Sequence, residues 1–133
     1  MSSWFVRPET TTLHVDGQTL VVRKYLSMGE HRARLARLYD TTAGGLLRVN
    51  PRQVGLATVT AYLLDWSITD DDGAPIPIRG LSLDDLQRVL DDLFPDRFAA
   101  IQDVIDAHEI AMLQARADLK KTAMTGDQPS PPI

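Results

Sequence analysis

The hydrophobic positions of this chain follow two periods, and the places where the period changes mark its elements. From Thr10 to Tyr25 the pattern alternates. Leu13 and Val15 lie on one side of Asp16-Gly17, and Leu20 and Val22 on the other. Alternation in β-branched runs around Asp-Gly predicts a hairpin with a tight primed turn, because that turn needs positive φ at its centre. Leu13 and Val15 should face one way, with Leu20 and Val22 as their partners. A lone hairpin is marginal in water, so this one must pack on something.

Beyond Tyr25 the period becomes helical. Ser27-Met28-Gly29-Glu30 is a capping box, in which hydroxyl and carboxylate satisfy the first free N–H groups reciprocally. The helix it opens should run to about Asp40. It should bury Met28, Leu35, Leu38 and Tyr39 and leave Arg32, Arg34 and Arg37 in water. Thr41 to Gly45 ends it, and Asn50-Pro51 opens a second helix carrying Val54, Ala57, Ala61, Tyr62 and Leu64 towards Trp66. Gly55 weakens that helix's first turn. Between Trp66 and Ile78 an aspartate cluster, a glycine and two prolines force a turn and an extended piece. Trp66, placed where helix meets extended chain, should be a core anchor.

Ser82-Leu83-Asp84-Asp85 caps a third helix to about Leu93, Phe94-Pro95 breaks it, and a long helix follows over about 96–121. Its Phe98, Ile101, Ile105, His108, Met112, Ala115 and Leu119 step by three and four, which is a heptad seam. At about 1.5 Å per residue it would be roughly 39 Å long and would outreach a small core. Ile105, Met112, Ala115 and Leu119 are therefore the candidate partner-binding residues. The fold class expected is α+β: an N-terminal hairpin packed against a mostly helical domain of about four helices, the last one long. Residues 1–121 form the domain, and 122–133, rich in proline, form a flexible tail.

At 133 residues, 44% hydrophobic and 24% charged, the chain has the size and composition of one globular domain. Having no cysteine, it can form no disulfide, thiolate metal site or cysteine nucleophile. It lacks a basic, long-apolar leader and any apolar run able to span a bilayer, so a soluble intracellular protein is expected. Its net charge of −4 is unevenly spread. Residues 1–60 carry eight Lys or Arg against four acids, and residues 61–133 carry six against fourteen. The halves should neutralise each other within the fold, with weak head-to-tail self-association through opposite patches as the sharper alternative.

Signals of catalysis are missing. Asp70-Asp71-Asp72-Gly73 suggests a calcium loop, but aligning Gly73 on the invariant glycine puts Ile68 and Arg79 where the first and last carboxylates belong. His14, His31 and His108 stand in no ligand spacing, and His108-Glu109 is only an adjacent pair on a helix. Gly44-Gly45 is not followed by the lysine of a phosphate loop. Neither a cofactor nor a metal is expected. The arginines of the basic half come with no nucleic-acid signature, and the isoelectric point near 5.2 opposes one.

The order of features resembles the tail assembly chaperones of long-tailed bacteriophages. The resemblance spans residues 12–110 and rests on architecture. A hairpin ends in Val22-Arg23-Lys24-Tyr25-Leu26-Ser27-Met28-Gly29-Glu30, and a helix reaches Tyr62-Leu63-Leu64-Asp65-Trp66-Ser67-Ile68-Thr69-Asp70. Asp72-Gly73-Ala74-Pro75-Ile76-Pro77-Ile78 follows, then the Leu83-Asp84 helix start and the amphipathic Ile101–His108 stretch. The resemblance implies a protein of the host cytoplasm without enzymatic activity. It would hold the aggregation-prone tape-measure protein soluble while the tail tube polymerises, with the tail-tube protein as a further partner. A structural virion component, a connector or tail-completion protein forming a ring, is the alternative.

Overall fold

The computed structural model describes residues 4–41 and 44–127. Its architecture is α+β. Strands β1 (Thr10–Val15) and β2 (Gln18–Arg23) form the hairpin. Helix α1 (Met28–Ala36) leads to a second small hairpin, β3 (Tyr39–Thr41) and β4 (Leu47–Val49). A 3-10 turn, Pro51–Gln53, runs into α2 (Val54–Tyr62), which passes directly into β5 (Leu63–Trp66). Helices α3 (Leu83–Asp91) and α4 (Pro95–Asp127) complete the chain.

The first hairpin turns at Asp16 (φ 46°) and Gly17 (φ 79°), the doubly positive geometry of a type I′ turn. Leu13 stands opposite Leu20, and Val22, on the same face, stands opposite Thr11. That face carries the core: Leu20 and Val22 are fully buried with Val59 and Tyr62 of α2, Leu86 and Leu90 of α3, and Ile101 and Ile105 of α4. Helix α2 is apolar around its whole circumference and is buried accordingly, down to the hydroxyl of Thr60, which donates to the Leu56 carbonyl at 2.8 Å. The expected weak point, Gly55, has a packing reason. A side chain there would run into Gln102 of α4.

Two expectations need correction. The chain after Tyr62 is not helical: Leu63 turns extended, and β5 pairs antiparallel with β2, giving a sheet ordered β1-β2-β5. In sequence Leu63-Leu64 reads equally well as a helix end, and only the pairing with β2 distinguishes the two. Helix α1 ends at Ala36, short of Asp40, and its facing is inverted. Met28 is 71% exposed, Leu35 and Tyr39 are exposed too, and Arg34 and Arg37 point at the body. Of the expected stop at 41–45, Thr42 and Ala43 lie outside the described residues. The α4 backbone continues through Thr122 to Asp127, past the expected boundary, and the rest of the tail, from Gln128, lies outside the described residues.

Both caps form as read. Ser27 N–H donates to Glu30 at 2.8 Å and Glu30 N–H to Ser27 Oγ at 3.2 Å, while Asp85 N–H donates to Ser82 Oγ at 3.1 Å. Trp66 is 8% exposed, and its indole N–H donates to the Ile76 carbonyl at 2.7 Å, tying the extended segment to the sheet. Trp66→Ala removes both the packed ring and that bond and should cost about 3–5 kcal/mol. Chemical denaturation followed by circular dichroism checks this; a loss below about 1 kcal/mol would place the ring outside the core.

Candidate interaction surface

Helix α4 lies with α2 on one flank and β1 on the other. Its polar residues make the joints. His108 is buried, its Nε2–H donates to the Arg23 carbonyl at 3.0 Å, and its ring stands edge-on to Tyr62 with centroids 5.8 Å apart. The next residue, Glu109, gathers a cluster. Arg34 of α1 donates to both carboxylate oxygens, the bond to Oε1 measuring 3.1 Å, and the Tyr62 hydroxyl donates to Oε2 at 2.6 Å. Arg34 also donates to Thr58 Oγ1 at 2.9 Å, and that hydroxyl in turn donates to the Val54 carbonyl. The side chains of Arg34 and Glu109 are only 19% and 17% exposed.

Electrostatics follow from this geometry. Burial pulls the Glu109 carboxyl upward, but the bonds from Arg34 and Tyr62, with the charges of Arg34 and His31, outweigh it and hold the group below its usual value. Burial, then the bond and charge of Glu109, push the Tyr62 hydroxyl far above the ordinary phenol range. Glu109 is thus a carboxylate and Tyr62 a neutral donor throughout physiological pH. An ion pair of this kind joins the helices that carry it.

The basic and acidic halves of the chain meet in such contacts. Arg34 reaches Glu109, Arg37 lies 4.0 Å from Asp84, and Arg97 reaches back to Asp16 at 2.9 Å. The Asp70 carboxylate is occupied by its own turn, accepting from Asp72 N–H and Ala74 N–H at 2.9 Å each. Among the described residues, no cluster of His, Asp and Glu has the geometry to hold a metal ion, and no helix is long and apolar enough to cross a membrane.

The four candidate partner-binding residues do not stay together. Ile105 is fully buried, so it belongs to the core and is not available to a partner. The seam passes from core to surface at the next turn: Met112 and Ala115 are half-buried, and Leu119 is 68% exposed. From Glu109 to Thr122 no residue is fully buried. The surface also includes residues the seam omits. Ile110 and Leu113 are exposed on α4, and Leu35 is exposed on α1. On the small hairpin, Tyr39, Leu47 and Val49 share a face and are exposed. The outward turn of α1 has no signal in the sequence. No family model, curated protein or solved structure matches the chain.

Glu109→Gln should destabilise the protein by roughly 2–3 kcal/mol at neutral pH, somewhat less than breaking a fully buried pair. The folded carboxyl titrates below the unfolded one, so its contribution is fully present above the usual value of 4.5 and is lost as pH falls through the folded value. The gap between wild type and Glu109→Gln in urea midpoint should therefore close on acidification below 4.5. A gap independent of pH would mean that the cluster does not hold the charged carboxylate.

Proposed function

We propose that this protein acts by binding an amphipathic helix of another protein and not by catalysis. Within that class it is a tail assembly chaperone, which keeps the tape-measure protein of a long-tailed phage soluble in the host cytoplasm. The observation that carries the proposal is the course of α4 past its own core. From Ile110 to Asp127 the helix rises about 27 Å, and its first turns there expose Ile110, Leu113 and Leu119 around the half-buried Met112 and Ala115. Apolar residues at helical spacing on an exposed helix face fit a helix-in-groove mode of recognition. Met112, unbranched and polarizable, and the small Ala115 suit a partner whose sequence varies along its length. The order of hairpin, helices and turn over residues 12–110 supports the narrower reading through its resemblance to these chaperones.

The test uses the exposed positions. Leu113→Asp with Leu119→Asp should leave melting and circular dichroism unchanged, since both side chains are largely in water, and should abolish co-purification with co-expressed tape-measure protein. Normal co-purification by a folded double variant would remove the distal helix as the binding surface. Retention of the protein in purified virions would favour the ring-forming structural component instead.

A further inference from the structure

The two edges of the main sheet are treated differently. On one side β5 is short, its pairing with β2 shifts register between Val21 and Val22, and prolines follow at 75 and 77. These features blunt an edge against pairing. On the other side β1 has none of them. Thr10-Thr11-Thr12-Leu13-His14-Val15 contains no lysine, proline or bulge, and its register with β2 is unbroken.

The direction of its backbone groups is settled by alternation. Lys24 N–H donates to the Glu9 carbonyl at 3.0 Å, and the two-residue turn closes on Val15 and Gln18, so Glu9, Thr11, Leu13 and Val15 bond towards β2. Thr10, Thr12 and His14 therefore aim their N–H and C=O groups outward, and all are exposed. The set is symmetric about Thr12. An antiparallel copy of the same strand would place Thr12 against Thr12 and Thr10 against His14, each pair exchanging both backbone bonds. Directly opposed threonines are a favourable cross-strand pair.

We infer that β1 pairs antiparallel with β1 of a second copy, making a two-fold dimer with one sheet running through both. The ends of the strand agree with that occupant. The register sets Pro8 of one copy opposite Asp16 of the other, and pairing stops there because Pro8 has no N–H to give. Neither β1 carries a charge to repel its mate. The two α4 helices come onto the same face of the joined sheet. Such an interface is isologous and closes on itself, and it leaves the distal α4 surface unused.

Sedimentation velocity across a concentration series of the full chain tests this. Wild type should pass from monomer to dimer. Thr12→Pro removes only an outward N–H, keeps the ladder to β2 and should weaken association roughly tenfold or more. Amide exchange gives a second readout on wild type alone. Protection at Thr10, Thr12 and His14 should rise with protein concentration, while Thr11 and Leu13 are protected throughout. A wild type that stays monomeric at every concentration overturns the inference. So does a folded Thr12→Pro variant that dimerises normally. If that variant fails to fold, the exchange pattern decides: unchanged rates at Thr10, Thr12 and His14 across the dimerisation range place the contact elsewhere.

Discussion

Helix α1 contains no buried residue, and its place in the fold depends on the carboxylate of Glu109. Apolar burial, which holds α2, α3 and the start of α4, contributes little to it. Arginines attach it instead: Arg34 to Glu109 and Thr58, and Arg37 to Gln87, while Glu30 of its capping box also receives Arg23 at 2.9 Å. Tyr62 joins the same carboxylate from α2, so one side chain of α4 is bonded to both α1 and α2. Bidentate guanidinium–carboxylate pairing fixes angle as well as distance, which a smooth apolar contact would not. The Arg37 Nε–H is buried with no acceptor among the described residues, so the arrangement carries a desolvation cost that an apolar helix face would avoid.

That attachment explains why Met28 and Leu35 face water. The helix has one face for the body and spends it on arginines, so the methionine and leucine of the opposite face are left outside. An inverted amphipathic helix of this kind is unfavourable for an isolated molecule. Exposed apolar side chains of this kind are what a second apolar surface would cover.

The elements legible in sequence were those whose signals are local. Asp16-Gly17 defined the hairpin, Ser27 and Glu30 the first cap, Ser82 the third helix and Pro95 the start of α4. Each signal acts within about four residues and needs no distant partner. What could not be read depended on distant pairing. β5 exists because Leu63 and Trp66 meet Val22 and Leu20, and the inward arginines exist because Glu109 lies 75 positions from Arg34 in the chain. The seam on α4 was legible as a seam, but heptad spacing contains nothing to say where the core stops. Ile105 and Leu119 occupy equivalent steps, and only the length of the hairpin and of α2 buries one and exposes the other.

The exposed part of α4 must hold its shape with little help from the core, and its composition fits that demand. Ala107, Ala111, Ala115 and Ala117 alternate with Leu, Gln, Arg and Lys, all strong helix formers, and Gln114 donates to Asp118 one turn on at 3.0 Å. Propagating a helix already nucleated in a folded body avoids the cost of starting one in solution. Leu113 and Leu119 are therefore already in helical register before any partner the proposed reading would bring. The ordering entropy that a flexible segment would lose on binding has been removed in the folding of the domain itself. On the proposed reading, only the incoming helix would then have to be ordered.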